Sequence, residues 1–343
     1  MEKESRVLFF DLLRCVAAVA VIAIHVLAPY RDQMGVIPDS HWLTAVSVNG
    51  ATRWAVPVFI LISGALLLSD RRPFEFGHYV QRRLGKVVVP FIVWSLFYAL
   101  LSGLDAQGFH QDTAMETLSN SPHHATYYHL GFFYYFIPLY FVIPFLQWLN
   151  NKMDENQEQK VWSLFVGLWL LTTTLFLLHI DGPWSSQIWL YTGYLPLGYL
   201  LFKKVTITRF TVAISILLGC ASIYLTIHSV VDLSAVKGHY SVGRWLSYKT
   251  LNVVLAASMI FMVGRALAPK LSEGAQRWVS FISQHSLGIY LLHPIFLWPM
   301  KAYGWHQGHP AWVIPLWILL SGAGALAVSW LFSRSSKTRW LLP

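Results

Sequence analysis

Apolar stretches of about twenty residues recur along the whole chain, separated by short polar segments. At ~1.5 Å rise per residue, a run of that length crosses the hydrocarbon core of a bilayer as one helix. Ten such spans are expected, at roughly 7–29, 46–69, 85–104, 127–149, 161–180, 186–203, 208–228, 248–267, 282–300 and 311–333. The pattern predicts an all-α polytopic membrane protein of about ten transmembrane helices. Pro57, Pro138, Pro144, Pro196 and Gly198 fall inside these spans, which bundles accommodate by satisfying the freed backbone groups from neighbouring helices. The reading is a single membrane domain over 1–343 with no soluble domain appended.

Composition points the same way. The chain is 55% hydrophobic and only 12% charged, with mean hydropathy +0.49, about half the charged fraction of a soluble domain. The first apolar run is too long for a cleaved signal peptide and has no small-residue cleavage site. A net charge of +9 raises nucleic acid as a partner, but the positions of the charges argue against it. With the N-terminus inside, eighteen Lys and Arg fall on cytoplasmic segments and five on outer ones, as the positive-inside rule requires. Both termini are therefore expected in the cytoplasm, with the loops near 105–126 and 229–247 outside. Membrane lipids are the expected surroundings and no nucleic acid is expected as a partner. Cys15 and Cys220 both lie in apolar runs, so no disulfide framework follows.

Ionisable residues within the spans change the picture. Each costs on the order of 3 kcal/mol by insertion scales and usually faces a bundle interior or a wet cavity. The first span carries Asp11, Arg14 and His25. Arg14 and His25 are eleven residues apart, so they fall within about 20° of one helix face and about 16 Å apart along the axis. Asp11 is on the same side, as a structural partner for Arg14, and the small residues Ala18 and Val21 lie between on that line. Two sets result. Arg14 and the run Arg82-Arg83-x-x-Lys86 form a cationic cytoplasmic mouth; His25, Arg53, His129 and His293 belong to the outer half.

Plainer roles remain open for several of them. The basic run also suits a topological role at anionic headgroups. His129 suits an interfacial position, His293 a satisfied bundle histidine, and Arg53 a clamp on nearby carbonyls. No metal site is expected: His123 and His124 are adjacent in sequence, point apart on a helix and have no evident third ligand. Hydrolase, zinc-protease, Walker and dinucleotide-binding motifs are absent from the sequence.

A cationic mouth, an apolar path and an imidazole at its far end suit an elongated anionic donor. Arg grips phosphate bidentately, and a neutral imidazole can take the proton of an acceptor hydroxyl. Coenzyme A thioesters, with phosphates at one end and an acyl group at the other, have that shape. A coenzyme A thioester is the candidate donor, with no metal. His25 is the candidate base, or the carrier of a covalent acyl group; His129 is the next candidate. Arg14, Arg82, Arg83 and Lys86 are the candidate donor-binding residues, and Arg53 and His293 the candidate acceptor-binding ones.

Sequence motifs extend this. Asp11-x-x-Arg14, ten residues and His25 resembles the first-helix signature of the family-three membrane acyltransferases, where this Arg and His are required for function. Arg53-Trp54-Ala55-Val56-Pro57-Val58-Phe59-Ile60-Leu61-Ile62-Ser63-Gly64 is similar to that family's apolar, Phe-rich stretch ending in Ser-Gly. Gln81-Arg82-Arg83-Leu84-Gly85-Lys86-Val87-Val88-Val89-Pro90 resembles its basic stretch before a proline. His129-Leu130-Gly131-Phe132-Phe133 resembles its His-Leu-Trp-Phe-Leu motif with Gly131 in place of Trp, and Ser286 to Pro294 resembles its ninth-helix segment. The resemblance implies transfer of an acyl group, usually acetyl from acetyl-CoA, to a hydroxyl of an extracytoplasmic glycan or lipid-linked saccharide. It is strongest to the stand-alone members that acetylate surface polysaccharide, enterobacterial common antigen included, which implies a multi-pass protein of the bacterial inner membrane. The competing readings are a carrier or flippase for a lipid-linked glycan, which would line its pathway with the same buried charges, and a non-catalytic scaffold, which leaves the Arg14–His25 alignment unexplained.

Overall fold

The computed structural model describes residues 2–72 and 74–342, the side chains of 2–7 and of Arg82 excepted. The described chain is helical, with one isolated bridge, Leu104 to Phe109. In order the helices are α1 (Glu2–Val26), α2 (Ala28–Arg31), α3 (Asp39–Thr52), α4 (Ala55–Leu67), α5 (Phe76–Tyr79), α6 (Gly85–Ser102), α7 (Gln111–Ser119) and α8 (Phe133–Lys152). They continue with α9 (Glu155–Leu177), α10 (Gln187–Thr192), α11 (Tyr194–Lys203), α12 (Arg209–Lys237), α13 (Leu251–Leu267), α14 (Glu273–Gln284), α15 (Ser286–Ala302) and α16 (Pro310–Ser333).

Among the described residues, eight stretches are long and apolar enough to cross a membrane: Leu8–Val26, Asp39–Leu67, Gly85–Ser102, Tyr128–Lys152, Glu155–Leu177, Arg209–Lys237, Leu251–Lys270 and Pro310–Ser333. The two remaining expected spans are present as shorter helices. Residues 186–203 form α10 and α11, broken at Gly193 ahead of Pro196, which has no N–H to offer the Thr192 carbonyl; the ring of Trp169 stands 2.1 Å from where a Cβ on Gly193 would be. Residues 282–300 are split at His285 into the end of α14 and the 17-residue α15. Helix ends also move. Residues 229–237, expected in an outer loop, complete α12, which Gly238 stops in the left-handed conformation (φ 69°). Asp154 caps α9 through the backbone N–H groups of Asn156 and Gln157, so this helix begins six residues before the expected 161.

The chain divides into two compact units, Met1–Pro73 with Phe141–Gln284, and Phe74–Tyr140 with His285–Pro343. In the first, α11 is the buried centre: every residue from Tyr194 to Leu200 is buried. It meets α4 backbone to backbone at two glycines. A Cβ on Gly64 would stand 2.1 Å from the Leu195 carbonyl oxygen, and one on Gly198 2.1 Å from that of Leu61. Small residues allow such close approach where lipid supplies no hydrophobic drive between helices. In the second unit α15 and α16 pack closely, with Ser329 against Gly288 and its Oγ bonded to His285 Nδ1 (3.0 Å).

Candidate active site

Asp11 is buried in α1, and its position follows from α14. Ser283 Oγ donates to Asp11 Oδ1 (2.7 Å) and Ser280 Oγ to Oδ2 (3.3 Å), while Arg14 Nη1 donates to Oδ1 at 3.3 Å. Ser280 and Ser283, three residues apart, share one face of α14. One turn further along α1, Cys15 Sγ donates to the Val279 carbonyl (3.1 Å). The carboxylate thus fixes a half-buried Arg14 guanidinium and pins α14 to α1. His25 is half-buried in the last turn of α1, immediately before the chain turns at Leu27. Between Arg14 and His25, Ala18 and Val21 are 3% and 1% exposed; the expected narrow groove is packed along this line. The exposed positions of α1, Val16 and Val19, lie roughly opposite, so the Arg14–His25 face is turned toward the protein.

Arg53 stands at the junction of α3 and α4, midway along the Asp39–Leu67 stretch and not near its start as expected. Its Nε donates to the Leu246 carbonyl (2.8 Å), and its guanidinium lies 4.6 Å from the centre of the Tyr248 ring. Two residues before Leu246, Arg244 is held by Asp181, from the connection between α9 and α10, through two bonds of 2.8 and 2.6 Å. Those bonds hold the Asp181 carboxyl below the usual carboxylate range.

The second unit carries the other histidines. His129 lies in a 3-10 turn, Tyr128–Phe132, that leads into α8. It is 2% exposed, and its ring lies against the Leu291 carbonyl. His293, fully buried in α15, has its ring 5.6 Å from that of His129 and its Nδ1 3.1 Å from the Ile289 carbonyl. Tyr98 lies edge-on to His129 at 4.6 Å, and its hydroxyl donates to the Leu291 carbonyl (2.5 Å). Tyr290 donates to the His129 carbonyl, and Lys301 sits 3.8 Å from the centre of the Tyr128 ring. Arg83 is exposed in a π-turn, Val80–Leu84, and Lys86 is exposed at the start of α6; the Arg82 side chain lies outside the described residues.

The structure therefore brings Asp11, Arg14, His25 and Arg53 into one unit, and His129, His293, Arg83 and Lys86 into the other. The sequence reading missed Ser280 and Ser283, the aromatic ring around His129, and the loop beneath Arg53. It also missed a buried ionic cluster at Glu158, where Tyr199 donates a 2.5 Å bond, Arg71 forms an ion pair and Lys204 stands at 3.6 Å. Glu158 carried a signal: it is a carboxylate three residues before the expected start of a span.

Long apolar helices that bury a carboxylate, a guanidinium and paired imidazoles define a multi-pass membrane protein with polar chemistry inside its helix packing. Residues 7–334 match the family model described as "Acyltransferase domain", that of acyltransferase family three, and the chain belongs to this family. No curated protein and no solved structure matches the chain. The protein is accordingly a membrane acyltransferase.

Proposed function

We propose that the protein is an O-acetyltransferase of the bacterial inner membrane, moving an acetyl group from cytoplasmic acetyl-CoA to a hydroxyl of a surface or lipid-linked glycan. The observation that carries this reading is the first helix. Arg14 is held by a carboxylate that two serines lock in place, and His25 lies about 16 Å further along the same protein-facing side. Both termini are cytoplasmic in this reading. Arg14 grips a phosphate of the donor.

His25, as neutral imidazole, takes the proton of the acceptor hydroxyl while that oxygen attacks the thioester carbonyl. The carbon–oxygen bond forms and the carbon–sulfur bond breaks. The imidazolium then returns its proton to the departing thiolate of coenzyme A. A positioned base of this kind contributes about 10²–10⁴-fold, and an unperturbed imidazole has a pKa of ~6.5, near working pH. Arg53, in the same unit as Arg14 and His25, holds the acceptor.

The test uses purified full-length protein with radiolabelled acetyl-CoA and a membrane extract containing the acceptor. His25→Ala should keep saturable donor binding and lose transfer, and Arg14→Ala should lose donor binding. Near-normal transfer by His25→Ala would remove it from the mechanism, and an acetyl group trapped on His25 would establish the covalent route instead.

A further inference from the structure

Helices α12 and α13 meet closely at Gly219, where a Cβ would stand 2.4 Å from the Met259 Cβ. Beside that contact, toward the Arg209 end of α12, they leave a groove of about 250 Å³. Ile214, Ser215 and Leu218 line it from one face of α12, Ser258 and Met262 from α13, and Leu201 and Val205 from the end of α11. The serines do not make it polar. Ser215 Oγ donates to the Val212 carbonyl (2.8 Å) and Ser258 Oγ to that of Val254 (2.9 Å), each on its own helix. The groove opens outward, since Ile214 and Leu218 are 40% and 45% exposed. Only 17% of the apolar window of α12 is buried within the protein, so what lies outside is lipid hydrocarbon.

A half-buried cation stands at the α11 end of this groove. Arg265 lies in the last turn of α13, one turn beyond Met262. Its Nη1 donates to the carbonyls of Leu201 and Val205, the latter at 3.0 Å. The guanidinium therefore rests against the two residues that line the end of the groove. Its Nε and Nη2 make no hydrogen bond among the described residues, and no carboxylate among them lies within ion-pair distance. The Lys203 ammonium and the Arg265 guanidinium lie 5.4 and 5.8 Å from the centre of one ring, that of Phe202, so a second positive charge is close by. A guanidinium drawn partly out of water loses hydration that two neutral carbonyls restore only in part.

An apolar groove open to lipid, with a guanidinium at one end, answers both halves of a phospholipid's chemistry. The remaining Arg265 donors form a fork suited to phosphate oxygens, and basic pockets between membrane helices on the cytoplasmic side take anionic headgroups. We propose that the groove binds an anionic phospholipid of the cytoplasmic leaflet, with one acyl chain between α12 and α13 and the phosphate on the open side of Arg265. A soluble anion would leave the apolar lining unused, and an uncharged lipid would leave Arg265 unpaired. The leaflet rests on the reading that both termini are cytoplasmic; the site itself rests neither on that reading nor on the transfer mechanism. Bound there, the lipid bridges α11, α12 and α13, so it should raise the unfolding temperature.

The experiment measures lipid binding, not turnover. Full-length protein in neutral detergent is titrated with phosphatidylglycerol and with phosphatidylcholine of the same chains, read by native mass spectrometry and by thermal unfolding. Saturable binding of phosphatidylglycerol, about tenfold or more tighter than of phosphatidylcholine, is expected, as a charge-assisted bond provides. Arg265→Gln should bring it down to the phosphatidylcholine level. Ser215→Phe fills the groove and breaks no bond to another helix; it should weaken binding about tenfold or more, since losing two buried methylenes suffices for that. If Arg265→Gln folds poorly for want of its contact with α11, the comparison of lipids tests the charge and Ser215→Phe the place. Equal binding of the two lipids, unchanged binding by a folded Arg265→Gln, or unchanged binding by Ser215→Phe overturns the proposal. So does displacement of phosphatidylglycerol by coenzyme A, which assigns Arg265 to the acyl donor. Labelling of Lys337→Cys from outside intact cells would overturn the leaflet. His25→Ala should bind phosphatidylglycerol as the parent does, so failure of the transfer mechanism and failure of this site are read separately.

Discussion

The α4–α11 contact can be tested by adding a single methyl group. In Gly64→Ala the new Cβ would stand 2.1 Å from the Leu195 carbonyl oxygen and 2.5 Å from its Cα. A comfortable carbon contact is about 3.5 Å, so the two helix backbones must part locally by about 1.4 Å. Nothing flexible can yield, because the obstructing atoms are backbone. A gap of 0.5–1 Å already forfeits about a quarter to a half of each dispersion contact along the opened seam. Overpacking of this kind costs about 1–3 kcal/mol, and a backbone obstacle places Gly64→Ala near the upper end. Gly198→Ala meets the Leu61 backbone in the same way and should cost as much. The double variant should cost less than the sum of the two, since either methyl alone opens the seam that the second needs. Gly167→Ala is the control: it lies in α9 with nothing within 4 Å of its Cβ position, and should be neutral or stabilising by up to about 1 kcal/mol. The assay is unfolding in mixed detergent micelles, followed by tryptophan fluorescence. If Gly64→Ala unfolds as the parent does, or the double variant is strictly additive, the backbone-contact account is wrong.

Further outcomes follow from the buried polar groups. Glu158→Ala strands Lys204, whose side chain is 17% exposed, and should cost about 3–5 kcal/mol in the same unfolding assay, with Glu158→Gln costing less. Asp11→Ala removes the acceptor of Ser280, Ser283 and Arg14; a loss of about 2–3 kcal/mol is expected. Ser283→Ala should reproduce part of that loss, so a Ser283→Ala protein as stable as the parent would discount the α1–α14 tether. Arg14→Lys keeps the charge but not the planar fork, so acetyl-CoA binding should weaken while insertion and unfolding stay normal. His129→Leu removes a buried imidazole and its contact with the Leu291 carbonyl and should cost no more than about 1 kcal/mol. If transfer nevertheless disappears, His129 acts chemically; if transfer persists, it only packs.

The reach of the sequence is clearest in α1. Asp11 and Arg14 are conspicuous because they interrupt an apolar run, and helical spacing alone puts them one turn apart; the structure adds that they bond. Their partners were invisible. Ser280 and Ser283 are ordinary residues of an amphipathic helix some 270 positions away, and only tertiary packing makes them ligands of a carboxylate. The same limit applies around His129, whose neighbours Tyr98 and Tyr290 come from distant helices. Hydropathy located the apolar material well but not its breaks. The division at Gly193 falls one turn before Pro196, a loss of one backbone bond that no hydropathy average registers. The end of α12 was readable in principle, since Gly238 follows Lys237, but falling hydropathy near 228 outweighed the capping residue. The Ser63-Gly64 ending of the second motif reads as sequence signature alone until the structure shows α11 lying against it.

Three of the candidate groups share one structural circumstance. Arg53 occupies the turn between α3 and α4, His25 the last turn of α1 before the Leu27 break, and His129 a 3-10 turn ahead of α8. A continuous helix in lipid spends all its backbone groups on itself and has none to offer a ligand. An interruption exposes carbonyls and N–H groups, and these are tolerated at membrane depth only where protein or water covers them. The Leu246 carbonyl that accepts Arg53 belongs to such a non-helical segment. A polar group in an unbroken, lipid-facing helix would only add insertion cost. Set at a break, the same group shares its covered, polar surroundings with free backbone. The breaks in this chain are therefore the positions at which apolar helices can hold chemistry.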